Sequence, residues 1–133
     1  MSKGANAVLG ILRDDATVSG IIENNIYRNA APQGKAVPYI VVEEENTDPF
    51  PTKSGASAKD HVFVNVIYYS DSLETLDTLT EAGRAALDEK VAGTYNSVQV
   101  EQIRFQGQND YDEEIENRTI YVVEQAYMVR VVR

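Results

Sequence analysis

Apolar residues near the N-terminus recur at the three- and four-residue spacing of an α-helix. Two groups show this spacing, each on one helical face: Val8, Ile11 and Leu12, then Val18, Ile21 and Ile22. Asp14 or Asp15 separates the groups and offers an N-cap to the second one. The pattern therefore predicts one helix interrupted near residues 13–15, or two short helices, ending at Asn24 and Asn25.

Two β-prone segments follow after a loop rich in turn residues. The first strand is predicted over Tyr39–Val42, and the glutamates at 43–45 continue it towards solvent. The second strand, His61–Tyr69, alternates apolar and polar positions more clearly. Together they predict neighbouring strands of one sheet.

A polar segment, Asn46–Lys59, joins these strands and contains Pro49, Pro51 and Gly55. Loops of this length are unusual in a compact domain and commonly carry function. Phe50 is the aromatic residue of this segment, and it either folds back onto the core or anchors a partner. The candidate partner-binding residues in the loop are Asp48, Phe50, Lys53 and Lys59.

A second helical region is predicted after the second strand. Ser70, Asp71 or Ser72 can cap its start, with Glu74 placed to close a capping box back to Asp71. An apolar stripe at helical spacing follows, made of Leu73, Leu76, Leu79, Ala82, Ala86 and Leu87. Because a fully buried leucine contributes about 1.5–3 kcal/mol, the stripe is expected to pack against a sheet.

Two further strands are predicted to end the chain. In the third, Val98 and Val100 fall out of phase with Ile103, which a β-bulge near residues 101–102 would correct. The last strand, about Arg118–Val132, is apolar on both faces. One face carries Tyr121, Val123, Tyr127, Val129 and Val131, and the other carries Ile120, Val122, Ala126 and Met128.

A domain with two helical regions covers one sheet face well and the other poorly. A strand this apolar on both faces is either central and covered twice or buried by another subunit. The sparse helical cover favours the latter, with the second face near a surface and buried by a neighbouring subunit. The candidate subunit-interface residues are Ile120, Val122 and Met128.

These elements give the order α(α)-β-β-α-β-β. The predicted class is α+β, with a mainly antiparallel four-stranded sheet packed on helices. Residues 1–133 are expected to form a single domain, because the length fits one domain and no internal repeat is present.

The chain is acidic, with 21 Asp and Glu against 12 Lys and Arg and a net charge of −9. Its basic residues are scattered, and affinity for phosphates comes mainly from Lys and Arg, so specific binding of nucleic acid is disfavoured. No apolar run approaches the roughly 18 residues of a membrane span, and no signal-peptide pattern is present. Synthesis in the cytoplasm is expected.

The residues offer little support for catalysis. The absence of cysteine excludes thiolate chemistry and cysteine-ligated metals, and His61 is the single histidine, without a recognisable triad or zinc-ligand pattern. The acidic run Asp110–Glu116 lacks the spacing of an EF-hand. It is expected to be a solvated hairpin tip, with a divalent-cation site as the alternative. No enzyme activity, cofactor or metal site is predicted.

Three segments form a recognisable succession of a short helix, an Ile-Tyr step and a strand that starts with proline: Asp15–Ile22, Ile26-Tyr27 and Ala36–Val42. This succession resembles the start of a known family, the small tail-completion or tail terminator proteins of long-tailed phages. The strand His61–Tyr69 and the helix Leu73–Leu87 also fall where that family has them. The similarity spans residues 8 to 90 and rests on fold-determining apolar positions, not on a catalytic signature.

The resemblance implies a structural role in the virion tail. Members of the family form a hexameric ring that caps the tail tube, stops its polymerisation and supplies the head–tail joining surface, without a cofactor. The implied partners are further copies of the chain, which can be monomeric before assembly, the tail tube protein and a head-completion or connector protein. Genomic DNA passes the lumen without specific binding, and no membrane is involved.

Other roles stay open. One is a phage neck, head-completion or tail-tube protein, which differs in partner and not in chemistry. Another is a small module that binds a peptide or host factor through the loop Asn46–Lys59. A metal-dependent hydrolase built on Asp110–Glu116 has the least support, because no positioned acid–base pair accompanies the run.

Overall fold

The computed structural model describes residues 3–49, 59–88 and 90–132. The elements follow one another along the chain as α1 (Lys3–Asp14), α2 (Ala16–Ile22), β1 (Ile26–Arg28), β2 (Tyr39–Pro49), β3 (Lys59–Ser70), α3 (Leu73–Leu87), β4 (Gly93–Tyr95), β5 (Val98–Ile115) and β6 (Arg118–Val132). The expected α+β class is confirmed, and so is the division of the N-terminal helical region into two helices.

Asp15 separates α1 from α2. Its backbone is extended (φ −77°, ψ 121°), and its Oδ2 accepts a hydrogen bond from the Val18 backbone N–H at 3.0 Å. The carboxylate thereby satisfies one of the free N–H groups at the start of α2, which is the role of an N-cap. The break lets both short helices turn their apolar residues, among them Leu12 and Ile22, into the same core.

The sheet has six strands in the order β1-β2-β3-β6-β5-β4. β1 runs parallel to β2, and all the other neighbours are antiparallel. The sequence predicted four strands, and this number is wrong because the structure has two further edge strands, β1 and β4. Each has only three residues, which is too short to show a two-residue alternation against its surroundings.

Strands β2 and β3 extend into the segment that the sequence assigned to a loop. Asn46–Pro49 continues β2 and pairs with Asp60–Phe63 of β3, after a bulge between Glu44 and Asn46. The bulge shifts the alternation by one residue, and the polar side chains beyond it resemble a loop composition. The predicted loop is thus wrong at both ends, and residues 50–58 lie outside the described part of the chain.

Strand β5 contains the predicted bulge, between Val100 and Gln102, and a second one between Phe105 and Gly107. The strand then continues through the acidic run to Ile115. The turn itself is Glu116-Asn117, with φ values of 51° and 65°. Two consecutive residues in the left-handed region are typical of the two-residue turns that join antiparallel strands. The expected acidic tip is therefore mostly strand.

One face of the sheet, called the inner face here, packs against all three helices. Its buried residues from the two central strands are Val62, Val64, Val66 and Tyr68 of β3 and Val123, Tyr127, Val129 and Val131 of β6. α3 contributes Leu76, Leu79 and Leu87 to the same cluster. Leu73, which the sequence placed on this apolar stripe, is 55% exposed because it is the first residue of the helix.

The inner face also encloses a polar cluster around Gln125, which is 1% exposed. Its Oε1 accepts hydrogen bonds from the hydroxyls of Tyr68 at 2.8 Å and Tyr127 at 2.7 Å. Its Nε2 donates to the Thr80 carbonyl at 3.3 Å and to Gln108 Oε1 at 3.0 Å. Both donor and both acceptor positions of the Gln125 side-chain amide are used. The cluster therefore joins β3, β5, β6 and α3 and leaves no polar atom of that amide without a hydrogen bond.

Candidate assembly surface

Two of the four predicted loop residues lie in the described strands, at one end of the sheet. Asp48 is exposed near the end of β2, opposite His61 of β3. Lys59 begins β3, and its Nζ lies 2.7 Å from Glu101 Oε2. The other two, Phe50 and Lys53, lie outside the described residues. The structure brings Asp48 and Lys59 to the same sheet end, and their part in partner binding stays a prediction.

Further charged groups surround these two residues. Arg130 Nη1 lies 3.9 Å from Glu101 Oε1, and Arg130 Nε donates to His61 Nε2 at 3.3 Å. Partial burial and the Arg130 charge lower the pKa of His61, while Asp48 opposes this shift. The imidazole is therefore neutral at neutral pH and accepts a hydrogen bond from an arginine. This arrangement orders the end of the sheet and does not activate a base.

The three predicted interface residues lie on the opposite face of the sheet, called the outer face here, as their alternation requires. They are covered within the single chain, however: Ile120 is 5% exposed, Val122 1% and Met128 8%. Ile120 and Val122 form a second apolar cluster with Val41 and Ile67, beneath Ala31, Val37, Tyr39 and Tyr69. The expectation that they lie near a surface is wrong: Ala31 and Val37, from the segment before β2, pack over Ile120 and Val122, and Met128, outside this cluster, is buried as well. A contact with a neighbouring subunit through them stays a prediction.

Tyrosines and glutamates occupy the outer face around this cluster. The rings of Tyr39 and Tyr69 stack with centroids 4.7 Å apart, and Tyr27 meets Tyr39 edge-on at 6.2 Å. Burial raises the pKa of Tyr69 to about 12, with contributions from nearby tyrosines and from Glu113 and Glu43. Carboxylates that disfavour a tyrosinate also repel other anions, so the outer face is unfavourable for phosphate.

The β5–β6 hairpin extends past the start of the β3–β6 ladder and forms one wall of a groove on the outer face. The groove has a volume of about 430 Å³ and is lined by residues 33–37, Tyr39, Ile115, Glu116, Arg118 and Ile120. Ile115 on the hairpin is 49% exposed. Arg118 pairs with Asp71 at 3.0 Å, which holds the hairpin to the start of α3. The sequence did not predict this groove, because it depends on how the segment before β2 folds back.

These features do not assemble into a reaction centre. Within residues 3–49, 59–88 and 90–132, no group of three or more His, Cys, Asp and Glu residues could hold a metal ion. The acidic run Asp110–Glu116 is strand and turn, with its side chains exposed. None of the described helices combines the length and apolar character needed to span a membrane. The described residues form a sheet whose outer face is apolar and covered at its centre and acidic around it.

Comparisons with known proteins indicate the class of protein to which the chain belongs. The family model for tail completion protein gp17 matches residues 6–129. A chain from a structure described as the virion of a native gene transfer agent particle superposes with a TM-score of 0.69 and 21% identity, covering 96% of this chain and 92% of that chain. At this identity the likeness shows a shared fold.

A second solved chain aligns at a TM-score of 0.42 and 12% identity, over 86% of this chain and 91% of that chain, which is too distant to support an argument. A search of curated proteins gives no match. Because the family model spans most of the sequence, the chain belongs to the tail completion protein gp17 family. The family expected from the sequence is confirmed, and the protein is a structural component of the phage virion tail.

Proposed function

We propose that the protein caps the tail tube as a hexameric ring, stops tube polymerisation there and provides the surface to which the head joins. The observation that carries this proposal is membership of the tail completion family over residues 6–129. The fold shared with a virion chain over 96% of the sequence supports it. The partners in this role are other copies of the chain, the tail tube protein on one side and a head-completion or connector protein on the other.

In the proposed ring the outer face of the sheet lines the lumen. Burial raises the pKa of Tyr111 on this face, and the neighbouring Glu124, Glu113 and Glu43 raise it further. Six chains of charge −9 carry a net charge of −54. A lumen with this charge repels DNA phosphates, so the genome passes without binding to the wall.

Association of such acidic subunits competes with their mutual repulsion. Only the part of the contact free energy that exceeds the loss of rotational and translational freedom appears as affinity. The ring is therefore weak in free solution, and the end of the tube acts as a template that raises the local concentration of subunits.

Phage that lack the gene test the proposal directly. Their tails should have tubes of irregular, excessive length without heads, as seen by electron microscopy, and the purified full-length chain should restore tubes of uniform length. Tubes of normal length without heads would instead indicate a neck or head-completion protein. Absence of tubes would indicate a tube subunit, and normal virions would indicate a binding module with no role in the tail.

A further inference from the structure

The two outermost long strands of the sheet each carry an edge that is only partly covered. β1 pairs with β2 over Ile40–Val42, and β4 pairs with β5 over Val98–Val100. Among the described residues, no strand continues the ladder beside Glu43–Asp48 or beside Gln106–Ile115. Exposed strand edges present unpaired N–H and C=O groups that accept another strand.

The directions of these strands allow one edge to receive the other from a second copy of the chain. β2 and β6 both run antiparallel to β3, and β5 runs antiparallel to β6, so β5 is antiparallel to β2. The β2 strand of a neighbouring subunit in the same orientation can therefore add to the β5 edge as an antiparallel strand. Because the two edges lie at opposite sides of one sheet, such a contact repeats head to tail, as a ring requires.

Charge favours this heterologous pairing over the symmetric alternatives. Pairing β2 with β2 about Glu44 would place Glu43–Glu45 against the same glutamates, and pairing β5 with β5 about Glu113 would bring two Asp110–Glu116 runs together. Like charges on adjacent strands are destabilising. Pairing β2 with β5 instead lays Glu43–Glu45 alongside the uncharged stretch Gly107–Asn109.

An ion pair between Asp48 of one subunit and Arg104 of the next would set the register of the β2–β5 pairing. Arg104 is exposed on the outer face opposite Met128 and has no ion pair among the described residues, and Asp48 is exposed on the same face of β2. The Phe105 N–H already donates to Asp88 Oδ1 at 3.0 Å, so new backbone hydrogen bonds start beyond it. We propose that successive subunits join by antiparallel addition of the β2 edge, Glu43–Asp48, to the β5 edge at Arg104–Asn109, with Asp48 opposite Arg104 and the new backbone hydrogen bonds between Phe105 and Asn109. This inference rests on the ring proposed above.

Disulfide trapping tests the register, because the chain has no cysteine of its own. Directly opposed residues on antiparallel strands have the Cα separation that a disulfide needs. The double variant Asp48→Cys/Arg104→Cys, oxidised at high protein concentration, should give a ladder of covalent species above the dimer on a non-reducing gel. Each single variant should give nothing above the dimer. Both sites are exposed, so the variants should fold, which circular dichroism would check.

Charge variants give a second, independent readout by native mass spectrometry. Asp48→Lys or Arg104→Glu should weaken each contact about threefold to fivefold, and Asp48→Lys with Arg104→Glu should restore it. Glu81→Lys is the matched control for Asp48→Lys, since Glu81 is exposed on α3 and both variants raise the net charge by two. Loss of the ring in the control as well would assign the effect to net charge and overturn the ion pair.

The outcomes separate this contact from the ring itself. A ring that forms while the double cysteine variant gives no ladder overturns the edge pairing and leaves the capping function standing. Rapid dimers of Arg104→Cys alone, without a ladder in the double variant, indicate symmetric β5 pairing and also overturn it. Absence of both ladder and ring, combined with normal tails in phage that lack the gene, removes the proposed function together with the inference.

Discussion

Replacing Gly83 by alanine tests the packing of α3 on the sheet. A Cβ at Gly83 would lie 2.9 Å from Tyr68 Cζ and 3.0 Å from Cε2, closer than real Cβ contacts. Tyr68 is fully buried, and its hydroxyl donates to Gln125, so the ring has no free space into which to move. The same substitution at Gly20 in α2 meets nothing within 4 Å and serves as the matched control.

The expected signs of the two variants are opposite. Glycine in a helix is less favourable than alanine by about 0.5–1 kcal/mol, so Gly20→Ala should stabilise the fold by that amount. At Gly83 the same gain is outweighed by overpacking, about 1–3 kcal/mol, and by disturbed hydrogen bonds at Gln125, about 1–3 kcal/mol. We expect a net loss near 3 kcal/mol, which lowers the Tm by roughly 10 °C in a chain of this size.

Urea unfolding followed by circular dichroism measures both variants. The double variant Gly83→Ala/Tyr68→Phe removes the hydroxyl that the new methyl group displaces, so its loss should be smaller than the sum of the single losses by about 1 kcal/mol. A Gly83→Ala variant as stable as Gly20→Ala would refute the reasoning, because Tyr68 would then not press against α3. Strict additivity of the double variant would show that the hydroxyl is not the conflicting group.

Two further predictions concern the outer face and the tyrosines. Val122→Glu should unfold the isolated chain, because it buries an unpaired charge at a site that is 1% exposed. The free energy of unfolding should fall by at least about 4 kcal/mol, which thermal melts would show. A stable monomer that fails to assemble would instead support the subunit contact predicted from the sequence. Stability should fall as the pH rises from 10 towards 12. Burial raises the pKa of Tyr68 and Tyr69 above the ordinary value of 10.0, to about 12 for Tyr69, while the tyrosines of the unfolded chain ionise near pH 10.0. Ionisation of all tyrosines near pH 10 in a chain that keeps its circular dichroism spectrum would contradict this prediction.

The elements that the sequence predicted correctly are those with a repeated apolar period. α3, β6 and the bulge in β5 near residues 101–102 follow from side chains that alternate or recur and are buried in the structure. The edge strands β1 and β4 could not be predicted, because three residues do not show a period. The polar ends of β2 and β5 were missed for a related reason. These strand ends extend beyond the core and bury neither face, so their residues do not alternate between apolar and polar.

The candidate surface was predicted less well than the fold. The two-faced apolar pattern of β6 was identified, but it does not say which element covers the second face. In the structure the chain before β2 does so, through Ala31 and Val37. Gln125 gave a local signal, a polar residue between Val123 and Tyr127 on the inner face, yet its partners come from sequence positions as distant as Tyr68. Contacts of this kind are set by tertiary packing and not by local pattern.

In the proposed ring, stability and assembly depend on different parts of the molecule. The inner face is closed by three helices and the Gln125 cluster, and the centre of the outer face is closed by the chain's own residues. Among the described long strands, the polar ends of β2 and β5 keep edges that no other strand covers. Their backbone groups are free to pair, while their carboxylates oppose most partners, including copies in the wrong register. A contact of this type depends on a few matched charges, so single substitutions at Asp48 or Arg104 should disrupt assembly without unfolding the subunit, whereas substitutions in the covered apolar clusters should do the reverse.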